Sequence, residues 1–224
     1  MGAKTSMLAF ADGDPVAILK ANPVLDREAC LATVRQLFPD VRYEPLPDGT
    51  LLDTYPRNDE LYVGCYPGLT ILAHDSVVVE ASKLDQRFLD FAAGRTMLLH
   101  IMISTVDAFA YGVWEKGELR RSLSIAADDG IAEDIGARRP FEEPFWAGEH
   151  LEGEEPDPDY AGGAPFHPLE LAEAALLDLF GYQLEGVIGP DEVKPETIPL
   201  MRFAPAGAGA GSTAAAARPW WKFW

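Results

Sequence analysis

The sequence predicts a single α+β domain with a mixed, mostly antiparallel sheet, covered mainly on one face by about three helices. Three observations lead to this fold class. Hydrophobic residues make up 48% of the chain and charged residues 24%, which is ordinary for a soluble protein with a core. Strand-like apolar runs outnumber segments with helical periodicity. The strand-like runs in the centre follow one another without an intervening helix, which is typical of antiparallel pairing.

The pattern of residues in the first part of the chain predicts one buried strand and two short helices. Residues 5–11 are almost wholly apolar, and Asp12 with the glycine after it is typical of a turn. Asp14 precedes a proline, and an N-cap followed by proline at the first helical position marks the start of a helix. Asp26 can cap a second helix that continues to about residue 38 with its apolar residues on one face.

Further strands and one helix are predicted in the stretch that follows. Pro45 and Pro47 lie in a strand-like segment, and they place it at a sheet edge because proline cannot donate to a ladder of hydrogen bonds. Residues 60–75 contain enough aromatic and β-branched residues for two strands around a Pro-Gly turn. Residues 82–94 predict a short helix that ends at a glycine.

The centre of the chain is its most β-rich part. Residues 96–104 form a nearly continuous apolar run, and residues 108–125 have the pattern of a hairpin that turns at 115–117. Residues 167–181 start with His-Pro, end in glycine and repeat leucine at helical spacing, which predicts a helix. A last strand is expected over residues 197–204.

Three regions are predicted along the chain. They are a globular domain over residues 1–203, a flexible Ala/Gly linker over 204–217 and an aromatic tail over 218–224. The linker has no periodic large apolar residue, so it cannot bury a core. Within the domain, residues 137–165 form a long connection rich in proline, glycine and acidic residues, and connections of that length are usually functional or disordered.

Charge and cysteine content limit the partners and the compartment. The net charge is −18, and no cluster of lysine and arginine is present, so we expect no nucleic-acid partner. Cys30 lies in a helix-like stretch and Cys65 in a strand-like one, and no CxxC motif places them together. We expect two free, buried thiols in a reducing cytosol, and hence a cytoplasmic protein.

Several motifs, taken in order, resemble a known family. They are MGAKT at 1–5, ADGD at 11–14, VWEKGELRRSLS at 113–124, FWAGEH at 145–150 and PFHPLEL at 165–171. On these residues the chain resembles an uncharacterised actinobacterial family catalogued as a domain of unknown function, from Met1 to about Phe203. The resemblance implies a small, cytoplasmic, single-domain α+β protein, and it implies no particular activity.

The candidates for catalysis are Glu149 and His150 in the long connection, together with His167, Asp12 and Asp14. A carboxylate beside an imidazole can orient it and favour its protonated form, which is how acid–base sites are built. Each candidate also has a structural interpretation. Glu149 and His150 lie in an acidic loop of the kind that is usually solvated, His167 and Asp14 can cap helices, and Asp12 can form a turn.

The candidates for ligand binding are Trp114, Trp146 and His100. Aromatic residues are dense over the predicted hairpin and the long connection, which would suit a cleft for an apolar or planar ligand. The same aromatics could instead bury the connection against the sheet. His100 lies within an apolar strand, where a lone histidine is most simply a hydrogen-bonded core residue.

The aromatic tail supplies the candidates for partner binding, Trp220, Trp221, Phe223 and Trp224. Such a segment can dock in a groove of a partner or make a weak contact with a membrane interface. No metal-ligand spacing, nucleotide-binding motif or serine-hydrolase motif occurs, so neither metal nor cofactor is expected. We therefore expect a binding or interaction protein, with an unknown protein or small ligand as its partner. The alternative is a hydrolase-like small-molecule enzyme with a Glu/His site in residues 137–167.

Overall fold

Nine strands form one open sheet in the computed structural model, which describes residues 2–150, 160–186 and 189–207. The strands are β1 (Lys4–Ala11), β2 (Tyr43–Thr50), β3 (Leu61–Tyr66), β4 (Leu69–Ala73), β5 (Thr96–Ile103), β6 (Ala108–Glu115), β7 (Glu118–Ala126), β8 (Gly130–Gly136) and β9 (Pro199–Pro205). Their order across the sheet is β2-β9-β3-β4-β1-β5-β6-β7-β8. Every neighbouring pair is antiparallel, so the described sheet is antiparallel throughout and not mixed.

Five α-helices accompany the sheet in the described part, more than the three or so predicted from the sequence. They are α1 (Pro15–Lys20), α2 (Arg27–Leu37), α3 (Gln86–Ala92), α4 (Glu143–Trp146) and α5 (Pro168–Phe180). Two of the five are very short, and α4 is a single turn inside the predicted long connection. A single turn has too few residues to show helical periodicity, which is why the sequence did not indicate it.

Helices cover both faces of the sheet, so the prediction of cover mainly on one face was wrong. Alternate residues of β1 separate into two cores, with Met7 and Ala9 on the side of α5, and Leu8 and Phe10 on the side of α2 and α3. The strand β1 is therefore buried on both faces, and so is β5. A continuous apolar run is the sequence pattern of such a strand, whereas a strand with one solvated face alternates.

Local start and stop signals were predicted well. Asp14 and Asp26 cap α1 and α2, and their carboxylates accept hydrogen bonds from backbone N–H groups at 3.0 and 2.9 Å. His167 caps α5, and Gly181 ends it with a φ of +78°. The third helix begins four residues later than predicted, because Asp85 is its cap and residues 81–83 form a separate 3-10 turn.

The last strand explains how the end of the domain is held. β9 enters the sheet between β2 and β3, and it continues through Pro205, two residues into the predicted linker. Beyond the strand, the N–H of Ala206 donates to the carbonyl of Arg42 at 2.7 Å. Residues 208–224, which include the rest of the linker and the aromatic tail, lie outside the described residues.

Candidate functional site

The predicted Glu149–His150 pair follows α4 at the surface. The imidazole of His150 stacks on the ring of Phe145, with the ring centroids 3.8 Å apart and the planes 6° from parallel. Phe145 is only 5% exposed and meets the edge of Phe166, whereas Glu149 and His150 are exposed. A buried phenyl ring therefore sets the plane of the imidazole. Residues 151–159, which complete the acidic loop, lie outside the described part.

Trp146 is held in place by three contacts. Its ring lies 4.0 Å from the guanidinium of Arg138 and meets Phe166 edge-on at 4.9 Å. Its Nε1–H donates to a carboxylate oxygen of Glu142 at 3.3 Å. Phe145 and Trp146 thus attach the long connection to the body of the protein, as one of the two sequence interpretations of these aromatics predicted.

A buried ion pair connects the same segment to the sheet. Glu142 is fully buried, and Arg121 of β7 donates to both of its carboxylate oxygens. The hydroxyl of Tyr111 and the N–H of Arg139 donate to one of them at 2.5 and 2.7 Å. Burial works to raise the pKa of Glu142, but the hydrogen bonds from Arg121 and Tyr111 outweigh it, and the pKa is held below its usual range.

The catalytic candidates lie towards two opposite ends of the sheet. His167 is 3.8 Å from the carboxylate of Asp107, in the turn that follows β5. Lys4, at the start of β1, pairs with Ile103 at the end of β5, whereas Asp12 follows the far end of β1. Eight residues of strand separate these ends, roughly 25 Å at 3.3 Å per residue. Asp12 and Asp14 therefore cannot share one small-molecule site with His167.

His100 is a core residue with both ring nitrogens satisfied, in agreement with its simpler interpretation. Its side chain is fully buried, Nε2 lies 2.9 Å from the carbonyl oxygen of Ala172, and Nδ1 lies 2.7 Å from the hydroxyl of Thr5. A carbonyl can only accept, so Nε2 carries the proton, and Nδ1 accepts from Thr5. Burial lowers the pKa of His100 to about 4, so the ring is neutral at pH 7.

The three ligand-binding candidates do not form one site. Trp114 is 3% exposed and packs in the core on the side of α2 and α3. His100 bonds to α5 on the opposite side of the sheet, and Trp146 packs on that side as well. The sheet thus separates Trp114 from the other two. Sequence reasoning could not show this, because the assignment of each strand face depends on which helices cover it.

The sequence interpretation missed an open groove of about 690 Å³ between the start of α2 and the hairpin of β3 and β4. We call it the α2 groove. Leu25, Ala29, Thr33, Cys65, Tyr66 and Thr70 are among its lining residues. Its volume lies within the range of about 300–1,000 Å³ that is usual for small-molecule sites. The N–H of Asp26 donates to the carbonyl of Cys65 at 2.8 Å, and this bond holds the first turn of α2 against β3.

The rim of the α2 groove carries more negative than positive charge. Asp26 and Glu28 are exposed residues of the lining. Arg27 is the lining cation between them, and it is paired with Asp48, whose Oδ1 lies 3.2 Å from its Nη1. The carboxylate of Asp26 already caps α2 through the N–H of Ala29. An anionic ligand would meet these carboxylates, so the rim disfavours an anion.

A thiol and two hydroxyl groups lie at the floor of the groove. Cys65 is 5% exposed, and its Sγ lies 3.5 Å from the hydroxyl of Thr33. The pKa of the Cys65 thiol is lowered, first by the neighbouring Cys30 and then by the hydroxyls of Thr33 and Thr70, in spite of burial. The pKa of Cys30 is raised by the neighbouring Cys65 and by burial, and its S–H donates to the carbonyl of Val63 at 3.5 Å. Both thiols are free and buried, as predicted.

No sequence signal indicated that the two cysteines meet. Cys30 and Thr33 share a face of α2 because they are three residues apart, and Cys65 and Thr70 are paired across the hairpin of β3 and β4. The pair on α2 and the pair on the hairpin could each be predicted from the sequence. Their meeting depends on α2 packing over β3, which is a long-range contact.

Among residues 2–150, 160–186 and 189–207, no three His, Cys, Asp or Glu side chains are grouped so that they could hold a metal ion. Over the same ranges, no helix is both long and apolar enough to cross a membrane.

The fold and the groove define an α+β protein with a nine-stranded antiparallel sheet, helices on both faces and a thiol-bearing groove beneath α2. The chain belongs to a family of unknown function, DUF6928, whose model matches residues 5–203. This match confirms the resemblance to a domain of unknown function that the motifs indicated. No curated protein and no solved structure matches the chain.

Proposed function

We propose that this protein is a cytoplasmic binding protein that holds a small ligand in the α2 groove. The observation that carries the proposal is the floor of the groove, where the thiol of Cys65 and the hydroxyls of Thr33 and Thr70 converge beneath an opening of small-molecule size. A concave surface with a few converging polar groups and a perturbed titratable residue is the usual form of a binding site. The free thiols support the reducing compartment.

The lining also limits the chemistry of the ligand. Leu25 and Tyr66 provide apolar walls, and the floor provides hydroxyl and thiol groups that can either donate or accept. The carboxylates of Asp26 and Glu28 disfavour an anion at the rim. The ligand that fits best is uncharged, with an apolar body and a carbonyl or hydroxyl group directed at the floor.

The test is an NMR screen of the full-length protein against a library of neutral heteroaromatic and amide fragments. We expect fragments to shift the amide signals of Thr33, Tyr66 and Thr70. The variant Ala29→Phe fills the groove and should abolish these shifts, whereas Ala32→Phe is a matched control at an exposed position of the same helix. Fragments that bind equally well to the Ala29→Phe variant, or none near the groove, would contradict the proposal.

A hydrolase-like activity at Glu149 and His150 is the second candidate function. The observation that favours it is the stacking of His150 on Phe145, which gives an exposed imidazole a defined plane beside a carboxylate. Hydrolysis of p-nitrophenyl acetate provides the test, with His150→Gln and Cys65→Ser compared. Activity that disappears in His150→Gln and persists in Cys65→Ser supports this candidate. The opposite pattern assigns the reaction to the thiol and contradicts it.

The aromatic tail is proposed to bind a protein partner through Trp220, Trp221, Phe223 and Trp224. What supports this is composition alone, since the tail lies outside the described residues. β9 and the contact of Ala206 show that a truncation should end at Gly207 and not at Phe203. Pulldowns with the full chain and with the truncated chain provide the test. Identical partner sets would contradict a role for the tail.

A further inference from the structure

Cys30 and Cys65 lie side by side in the interface between α2 and β3. The Sγ of Cys30 is 3.5 Å from the carbonyl oxygen of Val63, which lies two residues before Cys65 and therefore on the same face of β3. The Sγ of Cys65 is 3.5 Å from the hydroxyl of Thr33, the residue one turn after Cys30. Each thiol also shifts the pKa of the other, that of Cys30 upwards and that of Cys65 downwards. Each sulfur atom therefore lies beside a close neighbour of the other cysteine.

The two thiols differ in their access to solvent. Cys65 lines the α2 groove and is 5% exposed, so it is the member of the pair that a small molecule in the groove meets first. Cys30 is fully buried behind it, in the core formed with Val34 and Val63. Reactive dithiols have the same arrangement. The accessible thiol is oxidised first, and the neighbouring thiol then reacts with the product to form a disulfide.

The polar contacts of the two thiols, like their access to solvent, make Cys65 the more reactive one. The hydroxyl of Thr33 lies 3.5 Å from the sulfur of Cys65, and the polar groups of Cys30, Thr33 and Thr70 stabilise its thiolate and lower its pKa. The S–H of Cys30 donates to the carbonyl of Val63, so Cys30 stays a thiol until Cys65 has reacted. The thiolate is the nucleophilic form of cysteine, so Cys65 is the member of the pair that attacks.

We propose that Cys30 and Cys65 form a hydroperoxide-reactive dithiol that is oxidised to an intramolecular disulfide. The Cys65 thiolate attacks the terminal oxygen of a hydroperoxide, the O–O bond breaks, and a hydroxide or alkoxide leaves, so that Cys65 becomes a sulfenic acid. The thiol of Cys30 then attacks the sulfenic sulfur. The S–S bond forms, the S–OH bond breaks, and the leaving oxygen takes the proton of Cys30 as water. The peroxide gains the two electrons that the dithiol loses.

The product alters the groove floor. Closing a disulfide of about 2.05 Å draws the sulfur of Cys65 towards α2 and removes its thiol from the lining. A dithiol reductant reverses the step by exchange through a mixed disulfide. The reaction requires only that a peroxide enter the groove, so it stands apart from the ligand-binding proposal and can be measured without any ligand.

The experiment treats the reduced full-length protein with hydrogen peroxide and follows it by intact mass spectrometry and thiol titration. We expect the loss of two hydrogen atoms and of both titratable thiols, a Cys30–Cys65 peptide after non-reducing digestion, and full recovery with dithiothreitol. The Cys30→Ser variant should stop at a sulfenic acid that dimedone traps on Cys65. The Cys65→Ser variant should react at least roughly tenfold more slowly, because its remaining thiol is buried and un-ionised.

A further variant tests the mechanism without removing either thiol. Thr33→Val deletes one hydrogen bond to Cys65 and should slow the reaction several-fold near neutral pH. Because the pKa of Cys65 rises in this variant, its pH–rate profile should move to higher pH. Circular dichroism on each variant identifies any that fails to fold, and Thr33→Val then decides the question alone. The proposal is overturned if Cys65→Ser reacts as fast as the wild type. It is also overturned if wild-type oxidation ends at a dimedone adduct or at an intermolecular dimer.

Discussion

Arg121 and Glu142 form a two-point ion pair in the interior of the protein, with Nε 2.9 Å from Oε1 and Nη2 2.6 Å from Oε2. Both side chains are almost inaccessible, at 2% and 0% exposure. The pair joins β7 to the turn before α4, and together with the packing of Phe145 and Trp146 it holds the irregular segment after β8 in place. The remaining donors of Arg121 reach Asp134 and the carbonyls of Ser122 and Ile135.

The first prediction concerns the loss of one member of this pair. Glu142→Gln preserves the volume of the side chain but leaves the Arg121 cation without its main partner. Breaking a buried ion pair from one side is strongly destabilising, so we expect the free energy of unfolding to fall by about 3 kcal/mol. Urea unfolding of the full chain provides the measurement.

A matched control lies on the same strand. Glu118 pairs with Arg120 at 2.7 Å, but its side chain is 67% exposed. Exposed pairs contribute little, so Glu118→Gln should change the free energy of unfolding by less than about 1 kcal/mol. Equal effects of the two substitutions would show that burial of Glu142 adds nothing.

The second prediction compares two glycines with the same backbone conformation. Gly117 and Gly136 both have φ near +81°, and an added Cβ at Gly117 has no neighbour within 4 Å. Gly117→Ala should therefore cost only the backbone strain, about 1 kcal/mol. At Gly136 the Cβ would overlap the carbonyl oxygen of Arg120, which belongs to the backbone and cannot rotate away. We expect a clearly larger loss in thermal unfolding for Gly136→Ala, and comparable losses would contradict the steric argument.

The third prediction is a loss of stability in mild acid. Burial lowers the pKa values of His74 and His100 to about 4 each. Between about pH 6.5 and pH 4 the unfolded chain binds protons that the folded protein does not, so stability falls as the pH falls. A shift of that size costs about 2 kcal/mol for each histidine between pH 7 and pH 5. Urea titrations at a series of pH values measure the slope.

The variant His100→Gln separates this effect from the titration of carboxylates. It lowers stability at every pH because Thr5 and Ala172 lose their partner, but it should also reduce the pH dependence between pH 7 and pH 5 by about half. An unchanged slope in this variant would show that, between pH 7 and pH 5, His100 binds protons in the folded protein as readily as in the unfolded chain.

The fourth prediction distinguishes the two interpretations of His167. Its Nδ1 accepts from the N–H of Leu169 at 3.2 Å and thereby caps α5. His167→Ala should cost about 1 kcal/mol, and His167→Asn should recover most of it because asparagine is a good N-cap. If His167 also takes part in catalysis, His167→Asn will remain as stable as the wild type and yet lose hydrolytic activity. Chemical unfolding and the ester assay on the same two variants provide the comparison.

Much of the fold could be predicted because its signals are local. The caps at Asp14 and Asp26, the helix from Pro168 to Gly181 and the turn at Gly117 all depend on residues within a few positions of one another. The insertion of β9 between β2 and β3 could not be predicted, because it joins segments about 140 to 160 residues apart. Strand order depends on such pairings, and hydrophobic patterning indicates that a strand is buried without naming its neighbour.

In the candidate sites, too, local features could be predicted from the sequence and long-range contacts could not. Sequence reasoning identified the region around Glu149 and His150, and the structure adds that Phe145 sets the plane of the imidazole. It treated Cys30 and Cys65 as unrelated buried thiols. That both are free and buried was predicted correctly. Their proximity was not, because 34 residues lie between them and only the packing of α2 on β3 brings them together.

Composition and local patterning alone determined that this chain folds as an α+β protein, and where most of its longer helices begin and end. Those properties follow from interactions between residues close in sequence or from the overall composition of the chain. Only the tertiary structure decided that helices cover both faces of the sheet, that Arg121 meets Glu142, and that Cys65 lies in a groove with Cys30 behind it. Each of these depends on side chains that are distant in sequence and are brought into contact by the burial of apolar surface.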